Sequence, residues 1–510
     1  MKIKLFTKSL LALVTLVSFI SFCINCTLEE ENPTEARLDP GSLNSNPALE
    51  AAVAGMYRQF TAANQWGFCW IRAYGADDLT AHSAWNKQGY RDSDQMVLSS
   101  VSSRLFLSYN PFYTTINEAN NIIANRENIE GTDETTNYFI GEAYFIRAFC
   151  YFHLTRTFGR VPMPLDNNIT DNLELPKSEI LEIYNQVESD FLMAESLLPD
   201  KYPGVPAAIR PNNGSARAYL AKLYMHWAGW PLKDTSKYAM AATSAKAVID
   251  NSSTHGFALV PDMMTLWSIS DENRFNSEIV FGVAHNATLS GRYSNRHTGR
   301  LGYPWPVRGW AEVFPEYTLF NEFPAGPRRE ATFRTEVTYR GNTFQWDELV
   351  DNQRGVNEVH PLYLKATGFL DEISTTNSAT NMTTYSMRYA DLLLYYAEAT
   401  ARSGDNSSDA WEALNKVRRR AYGHDINTSS SPVDLTSGDL AELAYTERKW
   451  ELAGEFKRWD DLARMERVAE ANANRSPLEP VGPILGDTSP ANYFAPIPQG
   501  ELDKSPHLID

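Results

Sequence analysis

A chain of 510 residues that is 43% hydrophobic can bury a large core, either as one big domain or as two intimate lobes. Its formal charge of −17 opposes nonspecific nucleic-acid binding and a polybasic membrane contact. Four cysteines are too few for a disulfide framework, whereas 12 Trp, 25 Tyr and 24 Phe exceed what core packing alone asks for and suit stacking on sugar rings.

The chain opens on a positive segment, Lys2, Lys4 and Lys8, followed by an apolar run from Leu10 to Phe22. That run is shorter than the about 20 residues a membrane-spanning helix needs, so it reads as a signal peptide rather than an anchor. Cys23 and Cys26 follow at once. A cysteine just past such a run is the acceptor for bacterial lipoprotein processing, and two or more acyl chains hold a protein stably on a bilayer. Cys26 is preferred because Asn25 before it is smaller than the Phe22 that precedes Cys23; acylation at Cys23 and simple secretion are the alternatives. Loss of 1–25 would remove three lysines and no acids, taking the charge from −17 to −20. The run Glu29–Glu31 is a solvated spacer or a sorting signal for the outer face of an outer membrane. No second apolar stretch of spanning length follows. Cys69 and Cys150 allow one disulfide, but their spacing does not demand it.

Helical periodicity then dominates. In 138–158, Ala143, Ile146, Cys150 and Leu154 form one apolar stripe. In 177–198, Ile180, Ile183, Val187, Phe191 and Leu198 form another; Ser178 and Glu179 sit in its first turn and Pro199 ends it. Two segments of about 34 residues look alike, each helix–turn–helix with small residues where paired helices approach. One runs from Ser215 to Val248 and turns near Gly229–Asp234; the other runs from Tyr389 to Val417 and turns at Gly404-Asp405. Between them, 260–385 reads as loops and short strands, with Glu278–Val283 the clearest strand. A last helix pair is predicted over 436–471, striped by Leu452, Phe456 and Trp459.

Several blocks resemble one family, the SusD/RagB-type surface lipoproteins. They are Gly141 to Phe152 continuing through Phe158-Gly159-Arg160-Val161-Pro162, then Leu175-Pro176-Lys177-Ser178, and Arg388-Tyr389-Ala390-Asp391-Leu392-Leu393-Leu394-Tyr395-Tyr396-Ala397-Glu398-Ala399. Leu414 to Arg418, Glu447 to Leu452, Arg458 to Leu462 and Pro496-Ile497-Pro498-Gln499 follow in order. The resemblance departs from the family pattern at Gly454-Glu455-Phe456 and at Arg160. It implies a mostly α fold: a tetratricopeptide-like helical-hairpin scaffold with an irregular loop and short-strand ligand-binding face. It implies a division into signal peptide 1–25, flexible acidic leader 26–40, and 41–260 and 261–510 as parts of one compact unit. It also implies a non-catalytic role without cofactor or metal: capture of an oligosaccharide or polysaccharide at the cell surface and delivery to a SusC-like TonB-dependent outer-membrane transporter. A peptide-binding RagB-like member and a lipid-anchored glycosidase are the alternatives.

Candidate site residues come from two irregular aromatic segments, where no helical stripe hides the rings. The first holds Trp66, Trp70, Trp85 and Tyr90 with Asp77 and Asn86; the second holds Tyr303, Trp305 and Trp310 with Arg308. Arg292, Arg296, Arg300 and Arg308 would locally offset the acidic charge. Trp227, Trp230, Trp411, Trp450 and Trp459 sit in or beside helices and read as packing. Glu451, Glu455 and Arg458, at i, i+4 and i+7, read as ion pairs between helices rather than a hydrolytic carboxylate pair. Asp77, Asp78, Asp92 and Asp94 read as loop carboxylates that meet sugar hydroxyls or water, lacking any metal-loop pattern. No HExxH, GxSxG, Walker or dinucleotide motif occurs.

Overall fold

The structure is a computed structural model that describes residues 43–64, 67–126, 134–168, 172–205, 209–268, 270, 273–286, 295, 302–368, 380–429 and 432–509, with backbone only at 67–70 and 103. Asn44–Asp510 form one compact unit. The expectations for 1–40, Cys26 included, and for Trp66, Arg292, Arg296 and Arg300 lie outside the described residues.

The scaffold is a run of helices that pack on their chain neighbours: α1 (Asn46–Ala63), α2 (Ser103–Ala124), α3 (Glu134–Phe158), α4 (Ile180–Leu197), α5 (Asn213–Ala228) and α6 (Lys237–Asp250). After a long excursion over 251–388 the chain returns as α7 (Tyr389–Arg402) beside α6, then α8 (Ser408–Ala421), α9 (Leu440–Glu451) and α10 (Arg458–Arg464). The two predicted hairpins are α5–α6 and α7–α8. Small residues let them close: Ala218, Ala221, Ala241, Ala245, Ala390 and Ala397 are fully buried. Asn212 caps α5, accepting from the Ser215 N–H at 2.9 Å.

Helix α3 departs from its single predicted stripe. From Ile140 to Tyr151 only Tyr144 escapes full burial, because α1, α2 and α4 pack around it. A helix enclosed on every side has no polar face. Its charges are paired inside: Arg147 forks onto Asp190 of α4 with two bonds of 2.8 Å. Cys150 is a buried free thiol, and burial pushes its pKa far up. The start of α4 also differs. Lys177-Ser178 pair as a short strand with Val161-Pro162, and the Glu179 N–H donates to the Glu182 carboxylate at 3.0 Å.

In the excursion, β1 (Ile279–Val283) pairs antiparallel with a strand at the entry to α7, Thr384–Arg388. Phe281 of β1 lies 4.6 Å from the Phe145 ring and 6.0 Å from Tyr219, which fastens the excursion to the helical core. A short hairpin, β2 (Asp351–Gln353) and β3 (Val356–Glu358), turns through Arg354-Gly355 with φ of +54° and +85°. Positive φ at both turn residues fits the right-handed twist of the strands.

The predicted pair over 436–471 is instead three shorter helices: α9, α10 and Val468–Asn472. Gly454 at φ +75° and Phe456 at φ +59° break the backbone between the first two. Leu452 is the C-cap of α9 and Phe456 lies in the break, so neither belongs to a stripe with Trp459.

Candidate functional site

The stretch after the 3-10 turn Gly67–Gly75 runs inward first. Asp77 pairs with Arg458 at 2.8 Å and Lys449 at 3.3 Å, while the Asp78 carboxylate accepts from the Gly454 N–H at 3.0 Å. Thr80 and Phe314 exchange backbone hydrogen bonds of 2.8 and 2.9 Å, and the His82 N–H donates to the Ala311 carbonyl at 3.4 Å. Two segments more than 200 positions apart are thereby laid side by side, and both are those singled out by their aromatic content.

Beneath the surface one carboxylate holds the pair together. Glu312 accepts from Lys87 Nζ at 2.7 Å and from the Tyr90 hydroxyl at 2.9 Å, and its carbonyl accepts from the Tyr74 hydroxyl at 2.8 Å. Burial first, then the Glu312 charge, drives the Tyr90 and Tyr74 hydroxyls well above their ordinary pKa. Both therefore stay protonated as donors.

The β2–β3 hairpin adds a third element. The Glu358 carboxylate accepts from the Ser83 N–H at 3.2 and 3.1 Å, from the Ser83 hydroxyl, and from His360 Nε2 at 2.9 Å. Burial alone would raise Glu358; the hydrogen bonds from His360 and Ser83 win and hold it below its usual value. His82 Nδ1 accepts from the Ala84 N–H at 3.0 Å, and burial lowers its pKa against the pull of Glu358 and Asp351. The backbone N–H of Trp305 donates to the Asp351 carboxylate, whose pKa burial raises.

On this foundation stand Trp85, 66% exposed, and Trp305, 58% exposed, the two exposed tryptophans among the described residues. Each occupies a short 3-10 turn, Trp85–Lys87 and Trp305–Val307, whose inner residue, Lys87 or Val307, is buried. The hairpin touches both: the Arg354 guanidinium lies 5.3 Å from the Trp85 ring centre, and Asp351 binds the Trp305 backbone. Asn86 is half-buried with its Oδ1 unpartnered, Trp310 is half-buried, and Arg308 is exposed at φ +61°. The result is two exposed aromatic planes, each braced by the β2–β3 hairpin, with polar groups nearby.

Other predicted site residues lie elsewhere. Tyr90 and Tyr303 are each only 1% exposed, so their faces are not offered to a ligand. Tyr90 lies on the buried side of a short helix, Gln88–Asp94, that the sequence reading took as irregular, and Tyr303 packs in a core cluster with Val307, Ala311 and Phe314. Asp77 is neutralised inside, not pointed at a ligand, and Asp94 is buried against Thr80 at 2.8 Å and Arg475 at 2.5 Å. The backbone of Trp70 lies in the 67–75 turn; its side chain is outside the described residues. The reading of the sequence missed Arg354 and its hairpin. The available signal was Arg354-Gly355 between two short polar strands, a turn pair with too few flanking apolar residues to register as a hairpin. Among the described residues no group of His, Cys, Asp and Glu could hold a metal ion. A cavity of about 360 Å³ lies elsewhere, beside Val53, Tyr57, Phe139 and Arg210.

A helical-hairpin scaffold of mostly α fold thus carries two exposed tryptophans on its loops. Residues 268–510 match the family model described as the SusD family, and 28–225 match a second, described as starch-binding associating with outer membrane. The chain belongs to the SusD family. It is 26% identical to SusD-like protein P2 of Formosa agariphila, covering 97% of this chain and 98% of that one. A SusD homolog from Bacteroides thetaiotaomicron shares the fold with a TM-score of 0.77, at 22% identity over 93% of this chain and 98% of its own. A laminarin-binding SusD-like protein does so with a TM-score of 0.73, at 23% identity over 91% and 98%.

Proposed function

We propose that this chain captures a glycan at the Trp85–Trp305 face, tethered by a lipid on Cys26 to the outside of an outer membrane, and hands it to a TonB-dependent transporter without cleaving it. The observation that carries the reading is the exposure of those two tryptophans on a braced foundation. Leaving two indoles in water is unfavourable unless a partner covers them, and sugar C–H faces stack on such planes. Family membership and the laminarin-binding neighbour support a glycan as the partner. The description of the second family model supports the outer-membrane location. The hydrolytic alternative draws on Asp77 and Asp78, and both are engaged in the interior.

Affinity electrophoresis of residues 27–510 against a glycan panel that includes laminarin tests this. At least one glycan is expected to retard the protein, with no reducing sugar released. Trp85→Ala and Trp305→Ala are each expected to weaken that binding at least about tenfold. As exposed substitutions, they are expected to leave stability within about 0.5 kcal/mol. Retardation by peptides alone would move the chain to the peptide-binding reading. Wild-type affinity in both variants would displace the site.

A further inference from the structure

Two exposed arginines stand beside the exposed tryptophans. Arg354 and Arg308 are exposed, and no carboxylate pairs with either among the described residues. The surrounding acids are spent inward: Glu312 on Lys87 and Tyr90, Glu358 on Ser83 and His360, Asp351 on the Trp305 N–H. In a chain of charge −17, this leaves a local cationic surface around Trp85 and Trp305.

The backbone sharpens the point. Both arginines hold positive φ, +54° at Arg354 and +61° at Arg308, where Gly or Asn would be more comfortable. For Arg354 the conformation sets the guanidinium against Trp85. The guanidinium lies 5.3 Å from the Trp85 ring centre, and no carboxylate among the described residues takes its N–H donors, which suit a planar or tetrahedral oxyanion. Arg308 is the C-cap of the turn that begins at Trp305. Positive φ alone does not mark the site. Arg340 occupies the same Arg-Gly turn in the hairpin Glu336–Tyr339/Asn342–Gln345 at φ +54°, yet lies over its own neighbour Tyr339.

We infer that the glycan this face takes carries anionic groups, uronate carboxylates or sulfate esters, read by Arg354 and Arg308 while Trp85 and Trp305 stack on its rings. The inference rests on the glycan-binding reading above. The experiment compares a polyuronate (alginate or polygalacturonate), the same polymer with its carboxyls reduced to alcohols, a sulfated glycan (carrageenan) and neutral laminarin. Proteins are wild type, Arg354→Gln, Arg354→Lys, Arg308→Gln and Arg340→Gln. One anionic polymer is expected to bind, falling at least tenfold on removal of its charge and weakening as salt rises; which polymer binds separates carboxylate from sulfate. Arg354→Gln and Arg308→Gln should each cost about tenfold, and Arg354→Lys should recover only part, because an ammonium lacks the fork. Arg340→Gln should bind as wild type. Equal loss in Arg340→Gln would reduce the effect to net charge and overturn the inference. Preference for a neutral polymer, lost in Trp85→Ala but not in Arg354→Gln, would overturn it while leaving the glycan reading standing. If no glycan of any charge binds, both fall.

Discussion

Glu451 shares its charge among several buried cations. Its carboxylate accepts from Arg420 at 2.7 Å, Arg388 at 3.0 Å and Arg328 at 3.4 Å, and its carbonyl accepts from Lys365 at 2.8 Å. Arg388 reaches on to Glu278 at 2.5 Å and to Glu455 at 2.7 Å, so one network joins α7, α8, α9 and the excursion. Burial alone would raise Glu451; Arg420, Arg388 and Arg328 outweigh it and hold the pKa at about 2. Glu451→Gln keeps the shape and removes the charge, leaving Arg420, Arg388 and Arg328 buried one carboxylate short, with only Glu278, Glu455 and Glu447 still paired to them. Breaking a buried pair from one side costs about 3–5 kcal/mol. Urea unfolding should show the midpoint falling by that equivalent at unchanged slope. The native pKa is depressed, so the stabilisation is present above the unfolded carboxylate value and is lost only as pH falls toward 2. The penalty should therefore be the same at pH 6 and pH 8; one that vanishes at either would contradict the pairing.

At the scale of elements, the break at Gly454 shows where sequence patterning stops being informative. The acidic spacing of Glu451 and Glu455 continues through 454 as if the helix did, yet both carboxylates reach Arg388 from opposite sides of a non-helical turn. The Gly454 N–H is thereby freed for Asp78, and a Cβ at 454 would sit 2.8 Å from the Tyr363 ring. Gly454→Ala meets both that contact and the left-handed backbone, and should destabilise by about 1–3 kcal/mol. Thermal melting checks the loss, and glycan affinity should be unchanged in the folded fraction. The α5–α6 and α7–α8 hairpins were legible because small residues at helical spacing have one main use, close packing. Trp85 and Trp305 were legible as rings outside any helical stripe, and they sit exposed in short turns. The β2–β3 hairpin was not: three-residue strands are too short to alternate, and Glu358 holds its base through Ser83, 275 positions away. Tyr90 and Tyr303 misled for the converse reason, since their burial depends on Glu312 and on Val307, Ala311 and Phe314, contacts that spacing near Tyr90 does not encode.

The molecule as a whole carries its excess negative charge partly inside. Between the aromatic face and α10 lie Asp77, Asp78, Asp94, Glu316 and Glu479, with Arg458, Arg475 and Lys449 among them. Burial penalises the charged form of those acids the cations offset least, Asp78 and Glu479, and moves them toward the protonated form. Asp78 is fully enclosed; burial, reinforced by the Asp77 charge and only partly offset by the Gly454 N–H, lifts it from near 3.8 to about 7. Glu479 rises to about 7 as well, again chiefly by burial. With the native pKa raised, the folded chain holds a proton that the unfolded chain has released at pH between about 4 and 7. Stability is then greatest below that window, falls as pH rises through it, and levels off above 7. One such site, half-titrated in the folded chain at pH 7, loses about 2 kcal/mol between pH 5 and pH 7. Asn at 78 cannot ionise, and its Oδ1 can still accept from Gly454. Urea unfolding from pH 5 to 8 should show wild type losing stability and Asp78→Asn losing visibly less, with the curves closest at pH 5 and the variant gaining at pH 8. Parallel curves would mean that Asp78 is ionised throughout, which would require a counter-charge closer than Arg458 or Lys365, the cations that now lower it only weakly.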